Sequence, residues 1–164
     1  MWTSRRSLFN GLENLQISSM SPVSDHQIHD SLLLTSAHSF HDAPYGIPGN
    51  SDAGAMNSWL VWQQLGFYPV VTQPIFLIVS PWFDDINITV NSNYTLRVTA
   101  NGLDNQDGSY FVQSVKINGK QWDKNWVEHD EIMVTGGKVE FELGKEMKVW
   151  ESGPPPPSPG RLTK

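Results

Sequence analysis

The sequence predicts an α+β protein in which a short N-terminal helical segment and a helix at about 51–65 precede an antiparallel β-sheet or sandwich-like module. Two observations carry this prediction. Apolar residues recur at three- and four-residue steps after residue 52, whereas residues 74–143 form short β-rich runs or alternate polar and apolar side chains. The 164 residues are enough for one modest domain with a core of its own.

Composition excludes several classes of partner. The net charge is −6 and the sequence has no basic block, so binding to nucleic acid by phosphate neutralisation is not expected. There are no cysteines, which excludes disulfides and thiolate metal sites. No apolar run approaches the roughly 18 residues of a membrane span, and the first residues lack the apolar core of a signal peptide. We therefore expect neither nucleic-acid nor membrane partners.

Residues 1–39 are the least readable part of the sequence and are expected to be partly helical and partly loop. Leucines at helical spacing predict a short first helix, and residues 25–40 predict a second. Four of the five histidines form two pairs with a spacing of three residues: His26 with His29 and His38 with His41. Such pairs suit a transition metal, but solvated histidines are the expected alternative because no cysteine or carboxylate completes a site.

The centre of the sequence is a loop that turns into a helix. Gly49 follows a proline and marks the loop. Asn50 or Ser51 then suits the N-cap, because a short polar side chain can accept from the first backbone N–H groups of a helix. Gly66 is placed to end the helix in the left-handed conformation. The pattern therefore places Asp52 in the first helical turn.

Asp52 has two interpretations. The backbone N–H groups and the positive end of the helix dipole keep a first-turn carboxylate ionised. An ionised carboxylate can bind a hard cation or take a proton from water. The alternative is that Asp52 only complements the dipole. The local pattern leaves both interpretations open.

The second half of the sequence is predicted to form strands. The five predicted strands are 74–79, 85–90, 94–99, 110–117 and 139–143. The first is expected to be buried on both faces, the next two half-buried, and the last to close the sheet. Asn118-Gly119 is the strongest short hairpin signal. Residues 151–164 form a Pro-rich tail, expected to be solvated, with docking on another protein's aromatic groove as the alternative.

A resemblance to a known family covers about 40–150. Its core is the sequence Gly-Ile-Pro-Gly-Asn-Ser-Asp-Ala-Gly-Ala-Met-Asn-Ser-Trp at 46–59, followed by Leu-Gly-Phe-Tyr-Pro-Val at 65–70. This stretch resembles the signature of family 92 of the glycoside hydrolases, which are calcium-dependent, inverting exo-α-mannosidases. Ser-Pro-Trp-Phe-Asp-Asp-Ile at 80–86 and Val-Lys-Ile-Asn-Gly-Lys at 115–120 match with the family's spacing.

The resemblance implies that residues 40–150 are the C-terminal part of a larger enzyme. Family members join an N-terminal β-sandwich to an (α/α)6 barrel, so the helix at 51–65 would be the last barrel helix. The β-sandwich and the rest of the barrel are then missing partners, along with α-mannosidic glycans or glycoproteins as substrates. The family is usually exported. The absence of a signal peptide therefore leads us to expect that the natural N-terminus lies elsewhere.

The resemblance also implies roles for individual residues. The carboxylate at the Asp52 position is the family's candidate general base, beside a calcium ion. Asn50 stands where some members have an acid, and would orient water or substrate together with Gly49. Trp59 is a candidate substrate contact, with core packing as the alternative. No position in 1–39 matches the surroundings of the family's general acid, so the isolated chain is expected to be inactive.

Two other functions stay open. The seven tryptophans could build a non-catalytic carbohydrate-binding module, with Trp82, Trp122 or Trp126 as stacking platforms. The β-rich half could also be purely structural and pack against the parent barrel. Replacing Asp52 by alanine would abolish function if the chain is part of a mannosidase and would have no effect if it is a carbohydrate-binding module. Asn87 and Asn93 begin glycosylation sequons, which have meaning only if the protein is secreted.

Overall fold

The structure, a computed structural model, describes residues 39–71, 73–90, 92–104 and 107–157. The first predicted helix and all but the last two residues of the second, predicted at 25–40, lie outside these ranges, as do His26, His29 and His38. The remaining member of the histidine pairs, His41, is exposed. In the described ranges, no helix has the length and hydrophobicity that crossing a lipid bilayer requires.

The helix α1 spans Ala55–Leu65 and ends where the sequence predicts, at Gly66. Gly66 has a φ of 91°, and its N–H donates to the Gln63 carbonyl at 3.1 Å. The residue is also buried: a Cβ there would lie 3.2 Å from both the Phe141 ring and the Pro81 side chain. Glycine thus satisfies a left-handed backbone and a close approach at once.

The start of the helix differs from the prediction. Asp52–Gly54 form a separate 3₁₀ turn, set apart from α1 by left-handed φ values of 54° at Ala53 and 76° at the following glycine. Neither Asn50 nor Ser51 caps α1, because the Ser51 hydroxyl donates to Asn57 Oδ1 at 2.9 Å instead. The prediction of one continuous helix from residue 51 was wrong because an L-alanine rarely takes the left-handed conformation seen here.

Eight strands in two sheets follow the 3₁₀ turn and helix in the described residues. The strands are β1 (Phe67–Pro69), β2 (Ile75–Ile78), β3 (Asp85–Thr89), β4 (Thr95–Asn101), β5 (Phe111–Ile117), β6 (Lys120–Trp122), β7 (Trp126–Glu128) and β8 (Gly137–Gly144). The smaller sheet has the order β1-β2-β7 and the larger has the order β3-β4-β8-β5-β6.

Several predicted strand features are confirmed. Three of the four residues of β2 are buried, whereas β3 alternates exposed and half-buried positions. β3 and β4 form an antiparallel hairpin. Asn118 and Gly119 join β5 to β6 with positive φ values of 51° and 77°, as a tight hairpin turn of this sequence requires. These features are determined by residues that are adjacent in the chain, so they can be predicted from the sequence.

The place of β8 contradicts the prediction of an antiparallel sheet that the last strand closes. β8 lies in the centre of the larger sheet, pairs antiparallel with β5, and pairs parallel with β4 from Leu96↔Gly137 to Asn101↔Glu142. The prediction was wrong because β4 and β8 lie far apart in the chain, and pairing over that distance has no local signal. The short strands β1 and β7 and the π-helical turn Asp130–Val134 were not predicted, and β6 was indicated only by the Asn118-Gly119 hairpin signal.

The two sheets share one hydrophobic core, in agreement with the expected sandwich-like module. Phe67 of the smaller sheet is fully buried, and its ring centroid lies 6.0 Å from that of Phe76 and 6.4 Å from that of Phe141 in the larger sheet. The Trp62 ring of α1 also packs against Phe76, with ring centroids 4.9 Å apart. These contacts fix α1 against the smaller sheet and thereby position the loop before it.

The beginning of the Pro-rich tail contacts the β6–β7 connection. The N–H groups of Ser152 and Gly153 donate to the Asp123 carbonyl at 2.9 and 2.8 Å. The Trp126 indole N–H donates to the Pro154 carbonyl at 2.9 Å. The expectation of a fully solvated tail therefore does not hold for these three residues.

Candidate active site

The candidate site begins with a tight loop ahead of α1. The His41 N–H donates to the Gly46 carbonyl at 2.8 Å, and the Gly46 N–H donates to the Ala43 carbonyl at 3.0 Å. Gly46 is buried, and a Cβ at this position would collide with the His41 carbonyl. These hydrogen bonds fix the path of the chain toward Gly49, which is exposed and has a φ of 65°.

An aromatic stack fastens this loop to the helix. The rings of Phe40 and Trp59 are nearly parallel, with centroids 5.9 Å apart and an interplanar angle of 12°. Trp59 is half-buried, and the aromatic ring that it stacks on is that of Phe40. This contact was not predicted, because the helical periodicity that placed Trp59 carries no signal for a residue beyond the loop.

Asp52 lies on the 3₁₀ turn between the loop and α1, and its side chain is exposed. The carboxylate makes no hydrogen bond or ion pair with any described residue. Asn50 and Gly49, the other residues predicted for this site, are exposed on the same stretch of chain. An exposed carboxylate that has no hydrogen-bond partner among the described residues has lone pairs with which it can accept a proton or bind a cation.

The dipole interpretation of Asp52 loses support from this geometry. The field of a helix terminus acts mainly within the first turn. Asp52 precedes α1 and is separated from it by the two left-handed residues. Stabilisation of α1 by the helix dipole therefore does not explain why a carboxylate is found at this position.

The described residues do not fit a calcium ion by themselves. Calcium takes about six to eight oxygen ligands, several of them carboxylates. Nowhere in the described ranges do three His, Cys, Asp or Glu side chains gather closely enough to hold a metal ion. Asp52 would supply a single carboxylate to such an ion, and the other ligands would have to come from other groups.

Trp122 and Trp126 do not present open stacking platforms. Lys124 Nζ lies 4.2 Å from the ring centroid of each tryptophan. Trp126 is only 7% exposed, and the Trp122 indole donates to the Trp126 carbonyl at 3.0 Å. The indole nitrogen of Trp82, the third candidate platform, is buried. The geometry therefore disfavours a carbohydrate-binding surface built on Trp122 and Trp126.

Another carboxylate, that of Asp85, forms an ion pair with Arg97. Arg97 donates to its two oxygens at 3.0 and 2.6 Å. These hydrogen bonds, together with the positive charge of Arg97, lower the pKa of Asp85 below its usual value. Asp85 thus links β3 to β4 and is not available as a base.

Comparison with known sequences identifies the family. The sequence model of the glycosyl hydrolase family 92 catalytic domain matches residues 31–145. The chain belongs to this family. A relative from Arthroderma benhamiae, described as an uncharacterized secreted glycosidase, is 35% identical over 115 residues. These residues make up 70% of this chain and 15% of the relative.

Solved structures share the fold. The GH92 α-mannosidase BT3965 from Bacteroides thetaiotaomicron, in complex with mannoimidazole, superposes with a TM-score of 0.68 at 24% identity, over 75% of this chain and 16% of its own. The GH92 inverting mannosidase BT2199 from the same organism gives 0.64 at 22% identity, over 74% and 16%. The GH92 glycosyl hydrolase ccman5 gives 0.62 at 28% identity, over 68% and 15%. The chain thus spans about one-sixth of the length of these relatives.

Proposed function

We propose that this chain supplies the general base, Asp52, to the active site of an exo-α-mannosidase that hydrolyses α-mannosidic bonds of glycans or glycoproteins with inversion. The observation that carries the proposal is the exposed carboxylate at the turn between a fixed loop and α1, which no described residue pairs with. Membership of family 92 supports it, as does the mannosidase activity named for two proteins of the same fold.

Inversion requires two carboxyl groups on opposite sides of the bond that is cleaved. One activates the attacking water and the other protonates the leaving oxygen, and the two lie about 6.5–9.5 Å apart. In the proposed mechanism Asp52 takes the proton from the water. The exposed amide of Asn50 orients the water or the substrate, with Gly49 allowing the sugar to approach the backbone. The Phe40–Trp59 stack holds this loop in place.

The general acid comes from another segment in this proposal, because no position in 1–39 matches the surroundings of the family's general acid. Removing a general acid typically lowers the rate by about 10²–10⁴-fold. We therefore propose that the isolated chain is inactive. Calcium enters the proposal as an ion near Asp52 whose remaining ligands lie outside the described residues. Isothermal titration of the isolated chain with calcium is accordingly expected to show no micromolar binding.

The proposal also assigns a context to α1. We take α1 as one helix of an (α/α)6 barrel in a longer exported protein that also contains a β-sandwich. Val61, on the side of α1 away from the core, is 52% exposed, and Leu60 is only half-buried. Apolar side chains at these positions suit contact with neighbouring helices.

A chimera tests the role of Asp52. Residues 40–150 would replace the corresponding segment of the Arthroderma relative, and hydrolysis of 4-nitrophenyl α-mannoside would be measured with calcium present. Asp52→Asn is expected to lower kcat by about 10²–10⁴-fold with little change in KM, because it removes the base and keeps the shape. Asp42→Asn makes the same chemical change at an exposed aspartate outside the proposed site, so it is the matched control and is expected to retain activity. An Asp52→Asn chimera with the full rate would refute the proposal.

A further inference from the structure

Two N-glycosylation sequons occur in the sequence, and both lie in one hairpin. Asn87-Ile88-Thr89 forms part of β3, and Asn93-Tyr94-Thr95 runs from the turn into β4. A sequon requires Asn, any residue except proline, and then Ser or Thr. Since both sequons belong to the same supersecondary unit, the pairing of β3 with β4 decides how they are arranged.

The pairing places Asn87 and both sequon threonines on the outer face of the hairpin. Along β3 the side chains of Asn87 and Thr89 are exposed, whereas Ile86 and Ile88 pack against the hydrophobic core. Thr89 lies directly opposite Thr95, and directly opposite residues of an antiparallel pair project to the same face. Thr95 is exposed as well, so the two sequon hydroxyls lie side by side in solvent.

The surroundings of this face are polar and open. Asn87 lies opposite Arg97, whose guanidinium pairs with Asp85 on the same face. β3 is also an edge strand of the larger sheet, and in the described residues no strand pairs with its outer side. Asn93, in the turn, is exposed. A bulky hydrophilic group at either asparagine would therefore meet solvent and would not disturb the core.

We propose that the outer face of the β3–β4 hairpin and its exposed turn carry N-linked oligosaccharides, at Asn87 and Asn93 respectively, when the protein passes through a eukaryotic secretory pathway. In the transfer step the side-chain amide nitrogen of the asparagine loses a proton. It bonds to the anomeric carbon of a lipid-linked oligosaccharide, and the lipid pyrophosphate leaves. The inference rests on the proposed export and is independent of the proposed role of Asp52.

Removing one hydroxyl at a time tests the two sites. The full 164-residue chain would be fused to a cleavable secretion signal and produced in yeast. Chain from cells and from medium would be pooled, so that a retained variant is still counted. Cleavage by peptide N-glycosidase converts a glycosylated asparagine to aspartate, which peptide mass spectrometry detects. We expect conversion at Asn87 and Asn93 in the wild-type chain.

The variants assign each glycan to its sequon. Thr89→Ala is expected to abolish the glycan at Asn87 alone, and Thr95→Ala that at Asn93 alone. Thr89→Ser and Thr95→Ser keep the sequons and are expected to keep the glycans, which separates loss of the motif from disturbance of the strand. An asparagine that stays unmodified in the wild-type chain overturns the proposal for that site.

A second measurement tests the placement on the outer face. The urea midpoint of the glycosylated chain is compared with that of the chain trimmed by endoglycosidase H, which leaves one N-acetylglucosamine on each asparagine and creates no aspartate. The midpoints are expected to be equal, or higher with glycans, because the attached sugars contact water. A lower midpoint with glycans present would show that one of the asparagines faces the core or a neighbouring element, and would contradict the inference. Neither outcome bears on mannosidase activity, which the chimera measures separately.

Discussion

Gly66 links the end of α1 to the core of both sheets. A side chain at this position would meet a left-handed backbone with a φ of 91° and, at 3.2 Å, the Phe141 ring. Gly66→Ala is therefore expected to lower the free energy of unfolding by roughly 1–3 kcal/mol, as measured by urea denaturation. Gly108→Ala is the matched control, because Gly108 has a φ of 75° with no atom within 4 Å of the added Cβ. Equal losses would mean that packing at Gly66 contributes nothing.

The ion pair of Asp85 and Arg97 makes a prediction for acid stability. Because the pKa of Asp85 is lower in the folded state, the pair stabilises the fold above the unfolded pKa of about 3.9. This stabilisation is lost as the pH falls through the lower, folded value. Asp85→Asn is expected to flatten the dependence of the urea midpoint on pH in this acid window. Asp84→Asn, next along the chain, is expected to leave the dependence unchanged, and a flattening in both variants would contradict the assignment.

At the candidate site, some residues could be predicted from the sequence and one important conformation could not. The resemblance identified Asp52, Asn50 and Gly49 as site residues, and the structure exposes all three on one stretch of chain. The left-handed Ala53 that separates Asp52 from α1 could not be predicted, because alanine is the strongest helix former. The role of Asp52 itself stays a prediction.

Among the elements, β8 is central to the packing of the larger sheet because it lies between β4 and β5. Its Phe141 is fully buried and contacts the Phe67 ring of the smaller sheet. Phe141→Ala is expected to cost about 3–5 kcal/mol of unfolding free energy, from lost burial and the cavity that remains. Urea denaturation measures the loss, and Phe83→Ala is the control because Phe83 is 48% exposed. Similar losses in both variants would be evidence against a shared core centred on β8.

The elements differ in how far the sequence predicts them. The β3–β4 and β5–β6 hairpins follow from alternation and from Asn118-Gly119, signals carried by adjacent residues. The parallel pairing of β4 with β8 depends on contacts between distant segments, for which a single sequence has no local signature. The three-residue strands β1, β6 and β7 are too short to display a period.

For the molecule as a whole, the proposal predicts that Asp52 by itself does not give the chain mannosidase activity. The purified 164-residue chain is expected to release no mannose from 4-nitrophenyl α-mannoside or from mannosylated glycoprotein, with or without calcium, because the acid and most of the sugar pocket are supplied elsewhere. Mannose release would be measured by anion-exchange chromatography over several days. Calcium-dependent release that Asp52→Ala abolishes would show that the chain contains a complete site.

The parallel pairing of β4 with β8 has a consequence for biosynthesis. While a nascent polypeptide emerges from the ribosome, β3–β4 and β5–β6 can form as separate hairpins, but no strand yet connects them. They join only when Gly137–Gly144 has left the exit tunnel and inserted between them. Until then both hairpins expose strand edges to other chains, so translation speed and chaperone contact matter most just before this last insertion.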